Sequence, residues 1–474
     1  MKIAMVASEA LPLCKTGGLA DVAFSLSKAL VKAGDEVVIV LPFYQAIADR
    51  HLKLTKLGGF FVQMSWRQQG AAVFSYEHEG VKFLLIQNDY YFSRESLYGY
   101  NDDGERFAFF ALGALEALKV ASFRPDVIHV HDWQSAMIPC LLKNREDPYY
   151  DHTKTVLTIH NPAFKGMIDK YFLNDFYGLS DVLFDSGAVR FEGMVSTLKS
   201  GIVFADKVTT VSPTHREELL TPALSQGLDG VLRLREKDFV GILNGIDTEE
   251  WNPRTDVYIA QNYGKGKDLE DGKHLNQADL LASFGVNWMG GPVYGLVSRL
   301  SFQKGIGLAI HSMRRALAHG ANFLVVGSGE YELEQELEEL RRQYSGTMGI
   351  YIGYNNTLAH KIYAGSDFFL MPSLFEPCGI SQMIAQRYGT LPIVRYTGGL
   401  SDTVHGYRDL GSSKPDGLAF RDYNEQGLDY AVGLAEETYS NQGLYYEMAR
   451  WAMGLDRSWK KSAARYRDLY RSIA

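Results

Sequence analysis

At 474 residues the chain is about three domain-lengths of ~150 residues, or two α/β lobes of ~230, so a single small module is excluded. Hydrophobic residues at 46% and charged residues at 22% match soluble globular proteins and exclude a disordered chain. Lys plus Arg number 48 against 56 Asp plus Glu, and the net charge of −8 opposes long-range attraction to nucleic acid or anionic lipid.

The first residues, 1–7, begin like a signal peptide, but Glu9 and Lys15 interrupt the apolar run, and no stretch of ~18 apolar residues follows anywhere. Neither secretion nor membrane spanning is expected. Cys14, Cys140 and Cys378 are far apart and lack metal-ligand spacing, which fits a reducing cytoplasm without a disulfide framework or zinc site. Tyr 28, Phe 25 and Trp 6 give 12% aromatic residues, suited to sugar stacking and to ordinary core packing alike.

Short β-branched runs alternate with segments of helical period, the pattern of β-α-β units that build parallel sheets. Residues 2–7 read as a buried strand, 8–18 as a loop, 19–33 as a helix stopped by Gly34, and 36–41 as the next strand. Further strands are expected at 81–87, 126–131, 155–160 and 206–212, each ending in polar residues where an open α/β sheet places its ligand crevice. A polar, strand-poor stretch at 247–278 precedes a second set at 293–298, 323–327, 367–372 and 391–395. Residues 330–342 read as a surface helix, and 450–473 as helical sequence returning across the junction. Two Rossmann-like lobes joined near 245 result.

The loop Lys15-Thr16-Gly17-Gly18-Leu19 lies between the first strand and helix, where backbone can approach an anion closely, or form a tight turn with a surface lysine. It is not G-x-G-x-x-G, so a dehydrogenase reading gains little from it. Gly327-Ser328-Gly329-Glu330 is a second glycine-rich turn. In Ser298-Arg299-Leu300-Ser301-Phe302-Gln303-Lys304-Gly305, Arg299 and Lys304 follow a strand end and could neutralise a diphosphate. Phe375-Glu376-Pro377-Cys378-Gly379-Ile380 and Tyr396-Thr397-Gly398-Gly399-Leu400 follow two later strands. The amides of Gly379, Ile380, Gly399 and Leu400 could meet sugar or phosphate oxygens, and Glu376 could face developing positive charge.

In the first half, His131-Asp132-Trp133 and Thr158-Ile159-His160-Asn161 sit at strand ends, with His160 and Asn161 suited to a hydroxylated ligand. His129, His131 and His160 allow a metal reading, but alternating histidines on one strand share a face without any metal. No D-x-D occurs, so a cation bridging a diphosphate to paired aspartates has no support and no metal is expected.

These motifs, in this order, resemble the bacterial glycogen synthase and plant starch synthase family of retaining glucosyltransferases over nearly the whole chain. The resemblance rests on Lys15 to Val22, His131-Asp132-Trp133, Thr158 to Asn161, Asn244-Gly245-Ile246-Asp247 with Trp251-Asn252-Pro253, Ser298 to Gly305, and Phe375 to Gly379 continuing through Arg387-Tyr388-Gly389-Thr390 to Thr397 to Val404. It implies an α/β GT-B fold, two Rossmann-like domains with parallel sheets and a central cleft: residues 1–245 on the acceptor side, 246–455 on the ADP-glucose side, and 456–474 as a helix returning to the first domain. It implies transfer of glucose from ADP-glucose to the non-reducing end of an α-1,4-glucan, with no cofactor.

By the same resemblance, Lys15, Arg299 and Lys304 contact the diphosphate, and the Gly17-Gly18 and Gly398-Gly399 turns approach it by backbone. His160, Asn244, Glu376, Cys378 and Gly379 surround the glucose, with Asp132, Asn161 and Thr397 nearby, and the Tyr354 ring lies against adenine. A single tyrosine stacks on adenine or uracil equally, so the residues themselves leave ADP-glucose and UDP-glucose both open. A non-catalytic glycan-binding relative would have no use for the diphosphate cations. Lys165 and Gln277 depart from the family pattern, outside the motifs given a chemical role.

Overall fold

In the computed structural model, residues 1–409 and 414–474 are described. They form two compact units, Met1–Asn244 with Trp459–Ala474, and Gly245–Ser458.

The first unit holds β1 (Lys2–Val6), β2 (Glu36–Pro42), β3 (Thr55–Met64), β4 (Arg67–His78), β5 (Val81–Gln87), β6 (Val127–His131), β7 (Lys154–Ile159), β8 (Met167–Ile168), β9 (Arg190–Phe191), β10 (Met194–Ser196), β11 (Lys207–Thr210) and β12 (Phe239–Gly241). Nine of these make one sheet in the order β12-β11-β7-β6-β1-β2-β5-β4-β3. It is parallel from β12 to β5, and β4 and β3 extend it antiparallel. β1, buried after its first residue, reads as a continuous apolar run from Ile3 to Val6, whereas β6, buried at every position, carries His129 and His131 among its apolar residues. The connection that follows β2 leads outward to β5, whereas β6 returns to the opposite side of β1. Strand order therefore reverses at β1, and an α/β sheet opens its crevice beyond the carboxyl ends at that reversal.

Helix Gly18–Lys32 follows β1, with Leu19, Val22, Leu26 and Leu30 buried, and Gly34 takes φ +93° just past its end. Helix Trp459–Arg471 joins the same core through Trp459, Ala463, Tyr466 and Tyr470. Its Arg467 pairs with buried Asp35 at 2.8 Å.

In the second unit β13 (Val293–Val297), β14 (Asn322–Gly327), β15 (Met348–Ile352), β16 (Phe368–Met371), β17 (Leu391–Arg395) and β18 (Leu418–Phe420) form a parallel sheet in the order β15-β14-β13-β16-β17-β18. Here order reverses between β13 and β16, so the loops leaving those two strands flank the crevice. The strand-poor stretch at 247–278 runs through turns and bends into helix Leu269–Phe284, and 330–342 corresponds to helix Tyr331–Gln343, which buries only Leu337 and Leu340.

The hairpin β3–β4, the small sheet β8-β10-β9 and the edge strands β15 and β18 were not expected. In β4 polar and glycine residues interrupt the apolar pattern, and β8, β9 and β18 are two or three residues long, too short to carry a period. Among the described residues no helix is long and apolar enough to cross a membrane.

Candidate active site

In the first unit the reversal point gathers two buried carboxyl groups. Glu9, 3% exposed, lies just past β1. It accepts hydrogen bonds from the Thr16 amide and, at 2.9 Å, from the Thr16 hydroxyl, which fixes the Lys15–Gly18 turn. Burial raises its carboxyl above the usual range against these hydrogen bonds. Asp132 follows β6 in the left-handed region, φ +54°, a strained conformation for a non-glycine residue. Its Oδ1 accepts the amides of His160 at 2.7 Å and Asn161 at 3.3 Å. Burial pushes Asp132 up to about 7, with the nearby Glu9 charge adding to the shift.

His131 Nδ1 and His160 Nε2 lie 3.0 Å apart, and His129 is stacked on His131 with ring centroids 4.3 Å apart. Burial holds His129 and His160 down to about 3 and His131 well below its ordinary value, so all three rings are neutral at pH 7. They can exchange hydrogen bonds but supply no positive charge. His129 is saturated by Tyr470 Oη at 2.7 Å and Thr158 Oγ1 at 2.6 Å, which gives this histidine a packing role. Among the described residues no group of three or more His, Cys, Asp or Glu is arranged to hold a metal ion.

Lys15 Nζ lies 2.8 Å from Asp21 and is exposed. A Cβ on Gly18 would meet nothing within 4 Å, and one on Gly17 only Glu9 at 3.7 Å. Neither residue has a positive φ, so nothing inside the chain requires glycine there. Among the described residues, Asn244, 5% exposed, has an Oδ1 without a hydrogen-bond partner, as does buried His131 at Nε2. Orphaned buried polar atoms at a sheet's ligand end are the kind of group a polar ligand satisfies.

In the second unit, a pocket of about 160 Å³ opens at the reversal point, lined by Leu296–Arg299, Lys304, Ile306, Leu370, Met371, Ser373 and Ser381. It is smaller than the roughly 300–1,000 Å³ of a complete small-molecule site, and fits part of a ligand. Lys304 Nζ is 2.6 Å from Glu376 Oε2, and these side chains are 20% and 8% exposed. Ser373 Oγ donates to the same oxygen at 3.2 Å. Arg299 has no hydrogen-bond or ion-pair partner among the described residues and is exposed. The turn Gly327–Glu330 supports this loop: Leu300 N–H donates to Ser328 O, Glu330 N–H to Leu300 O, and Phe302 N–H to Glu330 Oε1.

The Glu376 loop and the Thr397–Gly399 turn interlock. A Cβ on Gly398, whose φ is +44°, would lie 2.0 Å from Glu376 O, and one on Gly399 2.2 Å from Cys378 O. These glycines are therefore required by contact between two loops, whatever else approaches them. The amides of Gly399 and Leu400, expected to meet ligand oxygens, are instead donated to Glu376 O and Thr397 O. Those of Gly379 and Ile380 have no partner among the described residues, which leaves them as the amides open to an anion. Cys378 and Thr397 are buried, and Tyr354, 80% exposed, presents its ring after β15 with its hydroxyl on Asn356 at 3.2 Å.

Three supporting residues carried no motif. Glu9 could have been found by applying the strand-end rule to Ser8-Glu9. Gln382 and Gln386, an i,i+4 polar pair in helix Ser381–Arg387, are both fully buried. Gln382 Nε2 donates to Cys378 O, Gly379 O and Thr403 Oγ1.

Comparison with known proteins places this geometry. Residues 2–234 match the model of the starch synthase catalytic domain, and 291–430 that of glycosyl transferases group 1. The chain is 42% identical to a glycogen synthase of Anoxybacillus flavithermus, over 99% of this chain and 97% of the relative. It is 41% identical to that of Geobacillus thermodenitrificans, over 100% and 98%. The catalytic domain of starch synthase IV from Arabidopsis thaliana, bound to ADP and acarbose, shares 33% identity at a TM-score of 0.91, covering 99% of both chains. Sucrose-phosphate synthase from Thermosynechococcus elongatus, at 16% identity and TM-score 0.62 over 100% and 98%, shares the fold alone. Fold and family models together define a glycosyltransferase of the GT-B class. The chain belongs to the family of bacterial glycogen synthases and plant starch synthases.

Proposed function

We propose that this protein transfers glucose from ADP-glucose to the 4-hydroxyl at the non-reducing end of an α-1,4-glucan, with retention of configuration. The observation that carries the reading is the second unit's constellation, Arg299, unpaired among the described residues, in one pocket with Lys304, which is held 2.6 Å from the Glu376 carboxylate, at the carboxyl end of β13 and β16. Cleaving a glycosyl–diphosphate bond puts negative charge on the leaving oxygens and oxocarbenium character on the sugar. Arg299 and Lys304 neutralise the first, Glu376 and neighbouring carbonyls stabilise the second. The C1–O bond to phosphate breaks as the bond from C1 to the acceptor O4 forms on the same face, and the O4 proton passes to the departing phosphate oxygen.

In the first unit, neutral His160 and the side chains of Asn161 and Asn244 are suited to a sugar's hydroxyls, and Asp132 holds the His160–Asn161 turn. Lys15 and the open Gly17-Gly18 turn are suited to the diphosphate. Adenine as the base is supported by the ADP in the Arabidopsis relative, which is 33% identical; the exposed Tyr354 ring offers a face on which either base could stack. The reading includes neither metal nor organic cofactor, since two protein cations are available for the departing diphosphate.

Purified protein is to be incubated with ADP-glucose or UDP-glucose and glycogen, following nucleotide release and polymer growth, with and without a chelator. Expected are growth with ADP-glucose and a rate unchanged by the chelator. Growth with UDP-glucose alone would overturn the donor, and no growth with either would overturn the reaction.

A further inference from the structure

Helix Gly398–Thr403 carries at its amino end the two glycines that interlock with Glu376–Cys378, and the group holding its other end belongs to no motif above. Arg457, 14% exposed, donates from Nη2 to Thr403 O at 2.5 Å and from Nε to Gln386 Oε1 at 3.2 Å. The same Nη2 lies 3.8 Å from Asp416 Oδ2. Asp416 is fully buried, and it also accepts the His405 amide at 2.7 Å and contacts His405 Nδ1 at 2.9 Å. From Thr403 the contacts run on: its hydroxyl donates to Gly399 O at 2.6 Å, and Gln382 ties that hydroxyl to the Cys378 and Gly379 carbonyls. Arg457 sits where the chain leaves this unit, and its own carbonyl accepts the amide of Ile246, where the chain enters.

We infer that Arg457 is a positioning residue for Glu376: it clamps the carboxyl end of helix Gly398–Thr403 and so sets the interlock of Gly398-Gly399 with the Glu376 loop. It acts through backbone and touches no reacting atom. The inference rests on the proposed transfer reaction, with one readout that does not. Arg299 and Lys304 stand on a different loop, so losing Arg457 lowers turnover more than it weakens donor binding. Among the described residues it also leaves His405 as the cation facing Asp416. Asp416 and Arg457 are the charged groups acting on His405, and the Asp416 hydrogen bond raises this histidine above its ordinary value. Protonated His405 therefore supports the clamp at low pH and fails it as pH rises.

The test compares Arg457→Met and Arg457→Lys with the wild-type full chain. For Arg457→Met, kcat with ADP-glucose and glycogen falls about 10- to 50-fold while donor KM stays within about threefold. Its shortfall widens between about pH 6 and 8, and Arg457→Lys recovers part of the loss. Independently of activity, amides of 398–403 exchange at least about tenfold faster in Arg457→Met while β13 is unchanged. Unchanged exchange in that segment, or a kcat loss with a proportional KM rise and no widening with pH, overturns the inference. Should Arg457→Met fail to fold, exchange in Arg457→Lys decides by the same criterion. Wild-type protein inactive in transfer would sink the proposed reaction, and the exchange result would still stand or fall by itself.

Discussion

Replacing Lys304 by methionine keeps the length of the side chain and removes its charge. Lys304 Nζ lies 2.6 Å from Glu376 Oε2, and with the lysine gone the carboxylate, 8% exposed, retains the Ser373 hydroxyl at 3.2 Å. Breaking a fully buried pair costs about 3–5 kcal/mol, and the 20% exposure of Lys304 reduces this to about 1–3 kcal/mol. For a body of this size that is roughly 3–10 °C in Tm. The kinetic effect is larger relative to its cause, because in the proposed transfer the ammonium acts on charge that develops only as the diphosphate leaves. Loss of one such group costs about 2.7–4 kcal/mol of barrier, or about 100- to 1,000-fold in kcat. Calorimetry gives the first quantity, and ADP release from ADP-glucose with glycogen gives the second. A folded Lys304→Met protein with kcat within about threefold of wild type would refute the assignment of this lysine to the leaving group.

Gly398→Ala places a methyl group against Glu376 O at a positive φ and is expected to cost at least about 3 kcal/mol, visible as aggregation or a strongly lowered Tm. Gly18→Ala has open space and should fold normally while binding ADP more weakly by isothermal titration; unaltered affinity would remove that turn from the diphosphate site. Glu9→Ala deprives the Thr16 amide and hydroxyl of their acceptor, and should cost about 1–3 kcal/mol in urea unfolding together with a raised donor KM. Asp132 has a folded-state carboxyl near 7 against about 3.9 in an unfolded chain, so the folded state holds more protons across that interval. Its contribution is lost as pH rises from about 4 to 7. Asp132→Asn should accordingly gain stability relative to wild type between pH 5 and pH 8, and parallel unfolding profiles for the two proteins would contradict this.

Much of this was legible in the sequence because parallel strands buried on both faces announce themselves as apolar runs, and because chemistry in such folds collects where those runs end. That rule singles out Asp132, His160, Arg299 and Glu376, and each lies beyond the carboxyl end of a strand, β6, β7, β13 and β16 in turn. It did not separate the two uses of glycine: Gly17-Gly18 is open, whereas Gly398-Gly399 is demanded by a loop-to-loop contact that no local pattern encodes. Nor did it find Glu9, Gln382 or Arg457, whose partners lie 7, 21 and 54 positions away in the chain and are brought together only by tertiary packing. The hairpin β3–β4 escaped for a related reason, since its apolar residues serve a sheet edge and alternate imperfectly.

The fold of the first unit also constrains how the polypeptide matures. His129 is capped by Tyr470, and Asp35 by Arg467, from a helix that follows the whole second unit in the chain. During translation, at about 5–20 residues per second, the nascent first unit must wait roughly ten to forty seconds before that helix is made. Until then its imidazole layer and the groove for two tyrosines stand open to water. Assembly of the amino-terminal half is thus gated by the arrival of the carboxyl-terminal segment, and a ribosome stalled short of residue 459 would hold an unfinished core.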